Sequence, residues 1–157
     1  MDSVHYSSGK DDWETPQELF EKLDKEFHFT LDPCSTHKNT KCDKHYTENE
    51  DGLMQNWEGE TVFCNPPYSK VGKQDQWVQK CYEESKKAGT TVVALLPART
   101  DTERFHKYIL GKAEIRFLRG RLYFEIEGKP VLGKNGKPQT APFPSMVCIW
   151  GRDDYGK

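Results

Sequence analysis

The feature that most constrains the fold is the apolar run over residues 91–96 (TVVALL), which Pro97 follows. Such a run is typical of a β-strand that is covered on both faces, as in the interior of a parallel sheet. It contains the longest aliphatic stretch of the chain, which is far shorter than the ~20 apolar residues that a membrane span needs. We therefore expect a soluble α/β protein with this strand near the centre of its sheet.

Helical and extended patterns alternate along the rest of the chain. Helices are predicted from Thr15-Pro16-Gln17-Glu18 onward, over about 75–88, and from Thr100-Asp101-Thr102-Glu103 onward. The first and third begin with the Thr-x-x-Glu spacing of a capping box. Further strands are predicted over 27–31, 61–64, 114–118, 122–126 and 145–150. The alternation favours a mostly parallel sheet with helices on both faces, and the last strands suggest an antiparallel C-terminal edge.

Length and charge narrow the class of protein further. The 157 residues suffice for one ordinary domain, so we predict a flexible arm over 1–12 and a single domain over 13–157, without a separate target-recognition domain. Residues 1–60 carry 6 lysines and 15 acidic residues, whereas residues 61–157 carry 17 lysines and arginines and 10 acidic residues. A basic side of this kind is typical of a protein that meets a polyanion, and a chance imbalance on a solvated surface is the alternative.

The cysteines are five in number and widely scattered. Since the chain shows no basic-then-apolar export signal, we predict reduced thiols in a cytoplasm. Cys34 with His37, and Cys42 with His45, have spacings that a zinc site tolerates, but they match no zinc-finger pattern. No metal ligand is therefore assigned.

The tetrapeptide Asn65-Pro66-Pro67-Tyr68 carries the most chemical information. It follows the predicted strand 61–64, and its two prolines stiffen the backbone and remove two N–H donors. The Asn65 side chain and the Pro66 carbonyl are thus presented as acceptors beside an aromatic ring. A surface turn is the alternative, but open α/β sheets bind ligands at the carboxyl ends of their strands, which favours a site.

Two acceptors on a stiff turn suit a planar exocyclic amine such as N6 of adenine. Acceptors that hold both N–H bonds would pull the nitrogen toward tetrahedral geometry and stabilise the positive charge that grows as a methyl group is attached. The base would stack on Tyr68, and its positioning against an activated sulfonium methyl would supply much of the remaining rate. An adenine in a duplex must be flipped out of the stack to reach such a site.

Several short motifs occur in a fixed order along the chain. They are Trp13-Glu14-Thr15-Pro16, Leu31-Asp32-Pro33-Cys34, Asp51-Gly52-Leu53 with Trp57, Asn65-Pro66-Pro67-Tyr68-Ser69, and Leu95-Leu96-Pro97-Ala98-Arg99-Thr100-Asp101-Thr102. Over residues 13–150 this ordered set resembles the phage-type DNA N6-adenine methyltransferase (Dam) family. The resemblance implies a Rossmann-like fold and S-adenosylmethionine-dependent methylation of adenine N6 in double-stranded DNA. It also implies a bacterial host cytoplasm, if the chain is phage-encoded.

The resemblance further implies site residues. The catalytic motif is matched by Asn65, Pro66, Pro67 and Tyr68. The expected cofactor-binding residues are Trp13, Thr15, Pro16, Asp32, Pro33, Cys34, Asp51 and Asn65. Nucleotide-binding methyltransferases usually carry glycines directly after the first strand, and none follows Asp32. For the ribose hydroxyls, Asp51 is preferred over Glu48 and Glu50.

Positive charge is concentrated from residue 99 onward, and Gly133-Lys134-Asn135-Gly136-Lys137 is typical of a hairpin tip. The predicted DNA-binding residues are Ser69, Lys70, Arg99, Arg119, Arg121, Lys134 and Lys137. Two alternatives stay open: a methyltransferase of the same class that acts on RNA or on a protein glutamine, and a catalytically silent nucleic-acid-binding protein of this fold. Cofactor binding without DNA methylation would indicate the first, and DNA binding without cofactor the second.

Overall fold

The computed structural model describes residues 13–68 and 73–152. Its helices are α1 (Gln17–Phe27) and α2 (Gln74–Ser85), together with a 3-10 turn (Gly52–Met54) and a π-helical turn (Phe105–Ile109). Its strands are β1 (Thr61–Cys64), β2 (Thr91–Pro97), β3 (Glu114–Phe117), β4 (Glu125–Ile126), β5 (Lys129–Pro130) and β6 (Ser145–Trp150). The predicted arm over 1–12, and Ser69 and Lys70 among the predicted DNA-binding residues, lie outside the described residues.

The main sheet has the strand order β1-β2-β6-β3, and β4 and β5 form a separate pair. β1 and β2 are parallel, whereas β6 is antiparallel to both of its neighbours. The α/β class is thus confirmed, but the sheet is mixed rather than mostly parallel. The expected antiparallel edge is confirmed in part: β3 is the edge strand and pairs antiparallel with β6, but β6 itself lies inside the sheet and is buried at every position.

The two faces of the sheet bury alternate residues of each strand, as the period of two requires. In β2, Val92, Ala94 and Leu96 pack in the core that contains α2 and the π-helical turn. Val93 and Leu95 pack in the core that contains α1. The prediction of helices on both faces, with β2 covered on either side, is therefore confirmed. Among the described helices, none combines the length and apolar character needed to cross a membrane.

Two predicted strands are not formed as expected. α1 continues through Phe27 and is capped by His28, whose φ is 58°. The segment before Pro33 therefore contributes two isolated parallel bridges, from Leu31 to Val62 of β1 and from Asp32 to His45. The predicted strand 122–126 is reduced to the two residues of β4, which pair with β5. In both cases the apolar alternation that predicted a strand serves packing instead: Phe29 contacts Phe63, and Phe124 is buried.

Neither capping box forms as predicted. Pro16 occupies the N-cap of α1 with no side-chain cap, so Thr15 does not cap this helix. In the third predicted helix, Thr102 rather than Thr100 accepts from the Phe105 amide, at 3.3 Å. That helix is a single π-helical turn over Phe105–Ile109. Gly111, which has a φ of 76°, follows its end.

Candidate active site

A cavity of about 380 Å³ opens at the carboxyl end of β1. This volume is within the range of small-molecule sites. Seven of the eight predicted cofactor residues line it, namely Trp13, Thr15, Asp32, Pro33, Cys34, Asp51 and Asn65. Pro16 is not among the lining residues, although it joins the lining segment 13–15 to α1. Four segments that are distant in sequence therefore meet around one space.

Asp32 shapes one wall of this cavity. Its carboxylate accepts from the Cys34 amide at 3.3 Å and from the Lys41 amide at 2.9 Å, so it closes the loop that follows it. Burial raises the pKa of this carboxyl from 3.8 to about 6, although the amides of Lys41 and Cys34 and the charge of His45 act in the opposite direction. The site thus holds a buried carboxylate whose charge is only partly compensated by protein groups.

No glycine follows Asp32 directly, but Gly52 lets its own segment approach the backbone of the loop after Asp32 closely. A Cβ at this position would lie 2.1 Å from the Pro33 carbonyl oxygen, so only glycine fits without a shift. The Gly52 carbonyl in turn accepts from Trp57 Nε1 at 3.1 Å, and the Trp57 ring stacks on Trp77 at 6.4 Å. The motif Asp51-Gly52-Leu53 indicates in the sequence that a glycine is needed here, but the sequence does not show that Gly52 contacts Pro33.

The three acids considered for the ribose hydroxyls are separated by the structure. Asp51 and Glu48 line the cavity, and Glu50 does not. Glu50 accepts instead from the amide and the hydroxyl of Thr47, both at 2.8 Å. Asp51 has a φ of 56° and accepts from the Leu53 amide at 3.1 Å. Asp51 therefore remains the preferred residue, with Glu48 as its alternative.

Two polar atoms in the cavity wall have no protein partner. The hydroxyls of Thr15 and Ser35 are buried and form no hydrogen bond in the described structure. Both residues line the cavity. Since buried hydroxyls are nearly always hydrogen-bonded, these two are suited to a polar ligand.

The Asn65 amide is held at both ends. Its Nδ2 donates to the Trp13 carbonyl at 3.2 Å, and its Oδ1 accepts from the Tyr68 hydroxyl. The Tyr68 hydroxyl also lies 3.3 Å from the Leu95 carbonyl oxygen of β2. These contacts fix which end of the amide is the acceptor. Because an amide oxygen has two lone pairs, Oδ1 retains capacity for a second donor.

Tyr68 lies in an aromatic cluster formed with Trp13, Phe124 and Phe143. Its ring stacks on Phe143 at 5.4 Å and lies 5.2 Å from Phe124, and Trp13 stacks on Phe124 at 5.2 Å. Burial raises the pKa of Tyr68 well above its ordinary value, so the phenol stays a neutral donor. The sequence does not predict the contributions of Phe124 and Phe143, because both lie more than 50 positions after Tyr68.

The basic residues fall into two groups. Arg104 and Arg116 form ion pairs with Asp75 and Glu26. By contrast, the guanidinium of Arg99 lies 5.5 Å from the centre of the Phe143 ring, beside the aromatic cluster. The other predicted DNA-binding residues within the described ranges are exposed: Arg119, Arg121, Lys134 and Lys137.

The predicted hairpin tip is confirmed. Leu132 and Pro138 form an antiparallel bridge, the Gly136 amide donates to the Gly133 carbonyl at 3.0 Å, and Gly136 has a φ of 77°. Residues 122–141 contain β4, β5 and this tip. From here on, "the arm" means this segment and not the predicted N-terminal arm over 1–12. The inner side of the arm carries Phe124 of the aromatic cluster, and its tip carries Lys134 and Lys137.

The cysteines and histidines of the 34–45 segment do not assemble a metal centre. Over residues 13–68 and 73–152, no group of three or more His, Cys, Asp or Glu side chains has suitable geometry. His37 and His45 hydrogen-bond to each other at 2.8 Å. All five cysteines lie in the described ranges, and none of them forms a disulfide bond.

The fold and the site define a class: an α/β protein with an acid-lined ligand cavity beside a fixed amide at a strand end. The profile of the family described as DNA N-6-adenine-methyltransferase (Dam) matches residues 2–154. The chain is 31% identical over 153 residues to the DNA N-6-adenine-methyltransferase of Haemophilus phage HP1 (strain HP1c1), which covers 95% of this chain and 84% of that protein. It is 30% identical over 122 residues to the DNA N-6-adenine-methyltransferase of Escherichia phage T1. This second match covers 76% of this chain and 49% of the T1 protein. The chain belongs to the Dam family and is an adenine-specific DNA methyltransferase.

Proposed function

We propose that this protein transfers a methyl group from S-adenosylmethionine to N6 of an adenine that is flipped out of double-stranded DNA. The observation that carries the proposal is the Asn65 amide, which Trp13 and Tyr68 hold beside an acid-lined cavity. We further propose that the mixed sheet is a variant of the Rossmann-like fold, in which β1, β2 and β3 run in one direction and β6 runs opposite to them. The bacterial cytoplasm is the proposed compartment.

The residues of the cavity fit S-adenosylmethionine. Apolar walls from Trp13, Leu53 and Trp77 suit a purine, and Asp51 suits a ribose diol. The unpartnered hydroxyls of Thr15 and Ser35 suit the polar groups of an amino acid. The negative charge of Asp32 favours a cation nearby. When bound, the cofactor would supply a methyl group that is activated by its attachment to a sulfonium.

Asn65 is the proposed catalytic residue. Its Oδ1 would accept one N–H of the adenine amino group through the lone pair that Tyr68 does not use. The Pro66 carbonyl is the proposed second acceptor, on a backbone that Pro67 stiffens. Two acceptors that hold the amino hydrogens turn the nitrogen lone pair away from the ring and stabilise the positive charge that develops on nitrogen.

DNA would be held by Arg99 and by the exposed basic residues of the C-terminal half of the chain. Arg99 lies against the aromatic cluster, and the exposed side chains of Arg119, Arg121, Lys134 and Lys137 suit phosphate contacts. Ser69 and Lys70 remain predictions that follow the catalytic turn directly. The half-buried rings of Tyr68 and Trp13 are the proposed stacking surface for a flipped base, and the buried rings of Phe124 and Phe143 support them. In this proposal, recognition belongs to loops of a single domain.

The test is transfer from labelled S-adenosylmethionine to unmethylated duplex DNA, with nucleoside analysis of the product. We expect label in N6-methyladenine and a loss of at least 100-fold in kcat for Asn65→Ala, because the variant lacks the acceptor at the developing charge. The variant should still bind S-adenosylmethionine. Asn56→Ala is the matched control, since Asn56 is exposed and outside the cavity.

The outcomes separate the alternatives. Wild-type rate in Asn65→Ala would remove this residue from the mechanism. Label in RNA or in a protein glutamine, with none in DNA, would assign another acceptor. Binding of DNA without binding of S-adenosylmethionine would indicate a silent member of the fold.

A further inference from the structure

Glu14 joins the arm to the segment that lines the cavity. Its amide donates to the Glu125 carbonyl at 2.7 Å, and the Glu125 amide donates back to the Glu14 carbonyl at 3.0 Å. Its carboxylate accepts from the Glu127 amide at 3.1 Å and from the Gly128 amide at 3.2 Å. Glu14 thus extends the β4–β5 hairpin by one bridge and also holds the turn of that hairpin.

The turn needs this support. Glu127 and Gly128 both have positive φ, 53° and 78°, between strands of two residues each. A two-residue turn of this kind strongly prefers Asn-Gly, because a residue other than glycine or asparagine is strained at the first position. Glu127 is therefore strained at this position, and the carboxylate of Glu14 offsets the strain by accepting from both turn amides.

The residues next to Glu14 serve the active site. The Trp13 carbonyl accepts from Asn65 Nδ2 at 3.2 Å, and the Trp13 ring stacks on Phe124 of the arm at 5.2 Å. Thr15 presents its unpartnered hydroxyl to the cavity. Three consecutive residues therefore contact the catalytic amide, the hairpin turn and the cofactor cavity.

We propose that Glu14 is a positioning residue that couples the arm to the cavity, so that DNA on the arm and cofactor in the cavity each raise the affinity for the other. The inference rests on the proposed function. Its physical basis is shared ordering: a ligand that fixes residues 13–15 also fixes the turn that Glu14 holds, and the reverse is true by linkage. Coupling of this kind typically amounts to about 5- to 150-fold in affinity.

The experiment measures the Kd of S-adenosylhomocysteine, which permits no turnover, with and without saturating duplex DNA. In the wild type we expect the duplex to lower this Kd at least fivefold. In Glu14→Gln the ratio of the two Kd values should fall toward one. The reason is that the terminal NH2 group of glutamine cannot accept a hydrogen bond, so one of the two turn N–H groups loses its acceptor. Glu18→Gln is the matched control: Glu18 is an exposed acid on α1, and the ratio should be that of the wild type.

A rescue variant tests the route. Glu127→Asn supplies the residue that the turn prefers, so it should restore at least half of the lost ratio in the Glu14→Gln background. A purely structural role would lower the melting temperature of Glu14→Gln and leave the ratio unchanged, which would overturn the proposal. A wild-type ratio of one would also overturn it, and a lack of rescue would refute the route through the turn. Absence of N6-methyladenine in the transfer assay would refute the proposed function separately, since the Kd ratio does not depend on turnover.

Discussion

Two acidic side chains in different regions of the molecule show opposite treatment of charge. Glu26 accepts from both terminal nitrogens of Arg116 at 2.8 Å and also pairs with Arg152, at the end of α1. Its pKa is lowered from 4.5 to about 2, chiefly by the hydrogen bond from Arg116. Asp32, in the cavity, is buried without a directly bonded cation, and its pKa is raised to about 6. The first arrangement stabilises the fold, whereas the second is costly unless a ligand compensates it.

The largest effect is expected from filling the space at Gly52 in the cavity wall. Gly52→Ala places a Cβ 2.1 Å from the Pro33 carbonyl oxygen. This oxygen belongs to the backbone, which cannot move aside as a flexible side chain can. Because the clash is with backbone, we expect a loss of about 3 kcal/mol in the free energy of unfolding at every pH. We also expect at least a tenfold loss of S-adenosylmethionine affinity, so this change affects both stability and binding. Urea denaturation and calorimetric titration measure the two effects.

The matched control for this change is Gly133→Ala. The nearest atom there is the end of the flexible Gln139 side chain, which can move aside. Cofactor affinity equal in both variants would show that close approach at Gly52 does not shape the cavity.

The second expected effect is a pH dependence that originates at Asp32. Because its pKa is higher in the folded state than in the unfolded chain, the folded protein binds this proton more tightly. The corresponding stability, about 3 kcal/mol, is present below about pH 4 and is lost as the pH rises through about 6. Denaturation of the wild type and Asp32→Asn between pH 4 and 7 tests this, since the variant should lack the decline.

The same residue predicts how binding depends on pH. A cationic cofactor favours the ionised carboxylate, so its affinity should increase as the pH rises through about 6. An unchanged pH profile of binding in Asp32→Asn would exclude this carboxylate as the group responsible.

The smallest effect is expected at Glu26, because its ion pairs are partly exposed to solvent. Since its pKa is depressed in the folded state, its contribution is present above about pH 4.5 and is lost as the pH falls toward 2. Glu26→Gln should therefore lower the melting temperature by a few degrees at pH 7 and by less at pH 3. A loss that is equal at both pH values would indicate that the placement of Arg116 and Arg152 over the Phe27 ring, rather than the charge of Glu26, is responsible.

The local patterns predicted those elements that bury a continuous apolar sequence. β1, β2 and β6 lie where they were expected, because 61–64, 91–97 and 145–150 are apolar enough to be covered on both faces. The patterns failed at 27–31 and 122–126, where large aromatic residues alternate with polar ones. There the rings of Phe29 and Phe124 complete clusters made by distant residues. In the described structure, the backbone of these segments pairs only through isolated bridges and the two residues of β4.

For the candidate site, the sequence identified the residues around the cavity more successfully than their partners. Seven of the eight predicted cofactor residues line one space, since strand ends and short motifs are local features. The hydrogen bond from Tyr68 to Asn65 and the contact between Gly52 and Pro33 were not predictable. Each depends on a side-chain direction or a backbone approach that a spacing rule does not encode.

By itself, the sequence determined the family, the α/β class, the buried strand β2 and the position of the Asn-Pro-Pro-Tyr motif after β1. Only the tertiary structure decided that β6 lies between β2 and β3, and that Glu14 pairs with Glu125 of the arm. The physical reason is that an apolar strand can satisfy its backbone groups beside several possible neighbours. The choice among them depends on the packing of both faces of the sheet at once, which no local pattern contains.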